Sequence, residues 1–326
     1  MLAALSSISL GLVHHFKAGG VVINEHVLSR EETARHVETF GRWFDFIHLR
    51  DLPERLNRRH KKPFCLLTFD DGKRNNVTVV APELQRLGVP AVFFVVSRAL
   101  DRGTPFWFDR YEALRRKLGA LPFGLQPHIV KQLPYAMLTD RVERACSQHG
   151  IEVDLNDDNI RPMTWEDARS LYRRGFTIGA HGTTHAIMTR ETKPDACENI
   201  SKSIARVTEE TGEPCSSFAF PNGNYTAELA QHAIRCGVQT VMTTEPTWMD
   251  HAFPLWRVPR LQFFGTDSRT KIELKTAVAA TGRILSNPDG TGRVYCAINR
   301  LARTRPKDFL SPFEKEKLPR PNHNFE

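Results

Sequence analysis

Two clusters of residues in this sequence have the types and spacing that hydrolytic chemistry needs. The first is Asp70-Asp71-Gly72, at the end of the apolar run Phe64 to Phe69. Carboxylates that directly follow a buried strand are costly to desolvate unless something pairs with them. Asp-Gly is also ordinary turn chemistry, so this cluster alone is ambiguous. The second is His181-Gly-Thr-Thr-His185, which follows the short run Phe176 to Ala180. Two histidines four apart on a helical turn present both imidazoles to one side, as in other His-x-x-x-His metal sites. A third ligand is needed, and Asp70 or Asp71 supplies a carboxylate suited to Zn²⁺ or a similar divalent ion. Three protein ligands leave a position open for water, whose pKa the ion lowers, and the other carboxylate is free to act as base.

Segments so distant in sequence meet only if the fold carries them to a common face. Val21 to Ile23, Phe64 to Phe69, Val89 to Val96, Phe176 to Ala180, Ser217 to Phe220, Val238 to Thr243 and Leu255 to Leu261 read as buried strands. Helical patterns alternate with them: from Ser29 with its acidic first turn, Leu52 to Arg59, Val77 to Leu87, Thr164 to Arg174, Ala196 to Thr211 and Ala227 to Cys236. This rhythm predicts an α/β fold with parallel strands. His26, Asp70-Asp71, His181-His185 and Pro221-Asn222-Gly223 then all fall at strand carboxyl ends, the face on which such folds build sites.

The 326 residues carry a net charge of +8, spread along the chain, with one cluster at Arg58-Arg59-His60-Lys61-Lys62. No nucleic-acid motif accompanies it, so no nucleic-acid partner is expected, and a solvated face or peripheral contact with an anionic membrane surface accounts for the charge. The six cysteines have no metal or redox spacing. Met1 to Val13 is a poor secretory signal and reads as a packed first helix. A cytoplasmic or inner-membrane-peripheral location in a bacterium is expected. The organisation expected is a helical segment over 1–20, a catalytic domain over 21–265 interrupted by an insertion at about 100–162, and an extension over 266–326 ending in a disordered tail. Within the insertion, Trp107, Phe108, Tyr111 and Leu114 predict one helix and Met137 to His149 another.

Thr68-Phe-Asp-Asp-Gly72 and His181-Gly-Thr-Thr-His185 resemble the first two motifs of the polysaccharide deacetylase family (NodB homology, carbohydrate esterase family 4). Phe218-Ala-Phe-Pro-Asn-Gly223 resembles its third motif, and the likeness extends over roughly Val21 to Leu261. The resemblance implies a distorted (β/α) barrel of about seven parallel strands. It implies removal of N-acetyl groups from an amino-sugar polysaccharide or lipid-linked glycan, with water activated on one divalent metal ion. Zn²⁺ is the expected ion, and Co²⁺, Mn²⁺ or Ni²⁺ suit the same ligands. Carried over residue by residue, Asp70 is the general base, Asp71, His181 and His185 hold the metal, and the backbone N–H of Asn222 stabilises the oxyanion. Pro221 and Gly223 beside it are expected to line the substrate site.

Two positions depart from the family pattern. No arginine stands near the third-motif proline to orient the base, and Arg257 or Arg260 is expected to replace it, with Arg260 also placed at the substrate site. The late Leu-x-His that supplies the general acid is absent. His251 is the candidate by order along the chain, and His26, also assigned to the substrate site, is the second. A metal-dependent amidase acting on a small non-sugar amide, or a non-catalytic carbohydrate-binding relative, are the competing readings. Trp107, Trp248 and Trp256 are candidates for stacking on a sugar ring.

Overall fold

The computed structural model describes residues 18–281 except Arg59 and Phe123. The helix expected within Met1 to Val13, Cys296 and the charged tail lie outside the described residues. The apolar run from Phe64 becomes strand β3 (Phe64–Phe69), buried at every position because one face lines the barrel interior and the other packs on the surrounding helices. The others are β1 (Gly20–Glu25), β2 (Asp45–Phe46), β4 (Ala91–Val95), β5 (Thr177–Ala180), β6 (Ser217–Ala219), β7 (Thr240–Met242) and β8 (Leu261–Gln262). Hydrogen bonding runs in the order β7-β6-β5-β4-β3-β1-β8, with β2 added beside the start of β3, and every paired strand is parallel. This is the expected distorted (β/α) barrel with seven parallel strands around its path.

Alternation along the strands sorts side chains between two cores. Val22, Leu66, Phe94, Ala219 and Met242 fill the barrel interior, whereas Val21, Ile23, Phe69 and Phe93 face the surrounding helices. Those helices begin where the sequence offers caps. Helix α1 (Arg30–Gly41) opens on a Ser29–Glu32 capping box. Next come α2 (Leu52–Asn57) and α3 (Ala81–Arg86), the latter preceded by a wide turn at Asn76–Val80. Helix α4 (Ser97–Arg102) follows β4.

The insertion adds α5 (Trp107–Leu118), α6 (Pro127–Val130) and α7 (Tyr135–Gln148). Leu114, Val130, Leu138 and Val142 give it a small core of its own. Helix α8 (Trp165–Arg173) is capped by Thr164, and α9 (Lys193–Thr211) by Thr192. The last starts three residues before the expected Ala196 because Pro194 is tolerated in a first turn. Helices α10 (Ala227–Arg235) and α11 (Arg269–Ala280) complete the described chain.

The strand expected over Leu255 to Leu261 is interrupted. Leu255 and Val258 bond to Val241 and Thr243 beside β7, and only Leu261–Gln262 forms a ladder with β1. Pro254 and Pro259 lack the N–H a continuous ladder requires. The segment therefore reaches from one sheet edge to the other and draws the barrel towards closure. Among the described residues, no helix is long and apolar enough to cross a membrane. The five described cysteines are all free. Arg58 and Lys62 of the basic cluster lie just ahead of β3, at the amino rim, and Arg58 pairs with Glu54.

Candidate metal and active site

Asp70 and Asp71 follow the last residue of β3 at the carboxyl rim, and the Asp70 N–H continues the ladder onto the Glu25 carbonyl. There the chain turns sharply. Asp71 has φ 75°, and it shares the left-handed region with only two other non-glycine described residues, His185 (φ 57°) and Asn222 (φ 56°). Such backbone is costly outside glycine, of order 1–3 kcal/mol each, and persists where surroundings over-determine it. All three residues are in the candidate site.

The histidine motif does not form the helical turn expected from its spacing. Gly182 and Thr183 give their carbonyls to the N–H groups of Ser97 and Arg98, at the start of α4. Asn199 on α9 accepts from Thr183 N at 2.7 Å and donates to Thr184 Oγ1 at 3.0 Å. These bonds hold an irregular loop, and the left-handed His185 swings its ring back towards His181, centroids 5.0 Å apart. Ligand atoms of Asp71, His181 and His185 all lie within 4.8 Å of one another, and all three residues are buried.

The donor set fits a divalent cation. Asp71 Oδ1 is buried with no hydrogen-bond partner, 3.2 Å from His185 Nε2 and 3.6 Å from His181 Nε2. His181 Nδ1 sits 2.8 Å from the Ala219 carbonyl, an acceptor only, so Nδ1 carries the proton and Nε2 presents a lone pair. Burial pushes the His181 pKa down to about 4, which keeps the ring neutral at pH 7. Burial also opposes ionisation of Asp71, but the three surrounding imidazoles outweigh it and hold the carboxyl far below its usual range. One carboxylate and two imidazoles aimed at one point are what Zn²⁺-type ions take.

Asp70 is the other carboxylate, with Oδ2 3.9 Å from His181 Nε2. Arg260 clamps it through two bonds, Nη1 to Oδ1 at 2.7 Å and Nη2 to Oδ2 at 2.8 Å. The same guanidinium donates to Thr68 Oγ1 at 3.0 Å and, through Nε, to the Thr243 carbonyl at 2.9 Å. Burial raises the Asp70 carboxyl, but Arg260 foremost, with His181 and His26, more than offsets this and leaves it below its ordinary value. Arg260 is 1% exposed and gives these four hydrogen bonds to Thr68, Asp70 and Thr243, so it stands behind Asp70 and does not line the cavity as expected of a substrate-site residue. Arg257 is committed elsewhere, bidentate on Glu245 at 2.8 and 2.7 Å.

These groups form the floor of an open cavity of about 350 Å³. Asp70, His181, His185, His26, Asn222 and Gly223 line it. His26 Nε2 is 4.0 Å from Asp71 Oδ2. Pro221 is buried behind the Asn222 turn. Gly223 is required there: its φ is +73°, and a Cβ would meet Thr244 Oγ1 at 1.8 Å.

His251 is not part of the site. Met249 pairs with Gly20, the first residue of β1, which carries the following turn to the amino rim and leaves His251 exposed there. Six residues of strand, roughly 16 Å, separate that rim from Asp70. Trp107 lines the cavity; Trp248 is buried against Phe44, and Trp256 packs on the outer core.

The cavity also contains residues the motifs do not announce. Phe108 meets His185 in a T-shaped contact with ring centroids 4.9 Å apart, and Lys131 also lines the cavity. Asn24, Thr244, Gln262 and Phe264 complete the lining. A polar residue inside the apolar run Val21-Val-Ile-Asn24 is the one signal that could have exposed Asn24.

The polysaccharide deacetylase family model matches residues 57–241. Among curated proteins, none matches the sequence. Solved structures agree in fold. IcaB from Ammonifex degensii superposes with a TM-score of 0.57 at 17% identity, covering 80% of this chain and 98% of that one. The Streptococcus pyogenes deacetylase PplD, in complex with acetate, gives 0.55 at 14% identity over 79% and 97%. A de-N-acetylase from Aggregatibacter actinomycetemcomitans gives 0.54 at 14% identity over 79% and 98%. With more than half its length matched by the family and the fold shared with these enzymes, the chain belongs to the polysaccharide deacetylases, hydrolases that act on amide bonds.

Proposed function

We propose that this chain removes N-acetyl groups from an amino-sugar glycan and depends on a divalent metal held by Asp71, His181 and His185. The observation that carries this reading is the pairing of two carboxylates with opposite partners. Asp71 faces two imidazole lone pairs within ligand distance, whereas Asp70, its neighbour, is held by Arg260. A divalent ion there would lower the pKa of a water and polarise the acetyl carbonyl.

Asp70 takes the proton of the attacking water, and Arg260 keeps it ionised and aimed. The Asn222 N–H, presented by its left-handed turn, donates to the carbonyl oxygen as charge develops on it. His26, on the open side of the cavity, protonates the leaving amine in place of the missing late histidine. Similarity to a de-N-acetylase and to a deacetylase holding acetate supports the N-acetyl substrate.

Metal analysis together with acetate release from a panel of N-acetylated glycans tests the reading. Asp70→Asn should lower turnover by ~10²–10⁴ while leaving the metal content intact, the scale of a lost general base. His181→Ala should lose both metal and activity. Full acetate release by the metal-free protein would overturn the metal half of the proposal, and release confined to small non-sugar amides the glycan half.

A further inference from the structure

We propose that the seam between β1 and β8 is the subsite that grips a sugar ring, with Asn24, Gln262 and Phe264 as its specificity-determining residues. This rests on the deacetylase reading above and adds to it which residues tell a glycan from a small amide.

The seam is set by strand periodicity. From Arg260 onwards every second side chain turns inward: Arg260 onto the base, then Gln262 and Phe264 into the cavity. The intervening Leu261 and Phe263 are fully buried in the outer core. Asn24 is the registered partner of Gln262, and parallel partners project on the same side of the sheet. Two carboxamides therefore stand next to each other at the cavity wall, level with Thr68, which the Arg260 guanidinium also contacts.

Among the described residues neither amide side chain has a hydrogen-bond partner. Asn24 is 2% exposed, yet its Oδ1 accepts no hydrogen bond. Leaving such a group unsatisfied is costly, so its place on a cavity wall points to a ligand that satisfies it. The Gln262 main-chain carbonyl takes Lys275 Nζ at 2.6 Å, while its side chain lines the cavity. Phe264, at the mouth, is a large apolar ring left 41% exposed. Carboxamides both donate and accept, which suits hydroxyls, and an exposed aromatic face suits the C–H face of a pyranose. A small amide without hydroxyls has no use for either.

Isothermal titration of metal-loaded Asp70→Asn protein with β-1,4- and β-1,6-linked N-acetylglucosamine oligomers tests the subsite, alongside steady-state kinetics in the wild-type background. Gln262→Ala and Phe264→Ala, both at the rim, should each weaken binding by ~5–30-fold, the scale of one lost hydrogen bond or ring contact. Asn24→Ala should do at least as much, and in all three the kinetic loss should fall on KM rather than kcat. Unchanged Kd and KM in both rim variants of an otherwise active deacetylase would overturn the seam alone. A wild-type protein that releases no acetate from any oligomer, with no binding by Asp70→Asn, would overturn the deacetylase reading and the seam with it.

Discussion

On one flank of the cavity, Gln262 and Phe264 belong to the segment that joins β8 to β1. On the other, Trp107, Phe108 and Lys131 belong to an inserted helical unit. The first flank is fixed by ladder register: once Leu261 and Gln262 pair with Ile23 and Asn24, inward and outward positions are decided. The second has its own core and meets the barrel through a few anchors. Chief among these is Lys73, two residues beyond Asp71, which is buried and bonded to Asp109 of α5 and to the Ile160 carbonyl at 2.9 Å. Burial pulls the Lys73 ammonium down and pushes the Asp109 carboxyl up, and the charge of each opposes that shift in the other. Lys73 also lies over the rings of Phe106 and Phe108, which lean on His185. The candidate metal ligands and the proposed ring subsite thus sit on or beside the sheet, whereas the inserted wall is attached to it through side-chain anchors.

Breaking the sheet-borne side should have the largest effect. Arg260→Met strands a buried carboxylate, and removal of one partner of such a pair costs about 3–5 kcal/mol. The denaturation midpoint at pH 7 should fall accordingly. Asp70 has its folded pKa below the unfolded one, so its pairing stabilises the fold above the ordinary carboxylate range and is lost as pH falls through the folded value. Without Arg260, burial loses its main opponent, only His181 and His26 still act against it, and the carboxyl rises. The acid limb of kcat/KM should therefore move to higher pH, and an unmoved limb would show that Arg260 does not set the base.

Loosening the attached side should have a smaller and local effect. Lys73→Met leaves Asp109 partly able to neutralise itself, so a loss of about 1–3 kcal/mol is expected. Hydrogen exchange should rise across α5 to α7 while β3 and β4 stay protected. Uniform loss of protection would mean that the insertion and barrel unfold as one unit. Smallest of all, Phe108→Ala removes a ring contact worth about 0.5–1.5 kcal/mol. Chelator competition should show metal affinity down by ~2–10-fold, from a less restrained His185.

The sequence made the four central side chains legible because each sits in a short motif directly after an apolar run, where local pattern and chemistry coincide. It failed where position depends on distant segments. His251 looked well placed by chain order, but the chain returns to the amino rim at Met249 to pair with Gly20. The histidine loop has helical spacing, and its real shape comes from Asn199 and from the start of α4. Arg257 and Arg260 could not be separated by type. They differ in direction along an interrupted strand, and Pro259 lies between them. The two insertion helices were readable from their apolar residues, but their docking depends on Lys73 finding Asp109, a link no local pattern reports.

Asp70 and the arginine that neutralises it are 190 positions apart. A ribosome delivers the acid early and its counter-ion only as the last strand emerges, so a growing chain that closes around Asp70 too soon would trap a lone negative charge. Completion of the sheet and pairing of this acid thus arrive together. A polypeptide truncated before Arg260 would keep its metal-ligand residues while lacking the group that makes burying the acid tolerable.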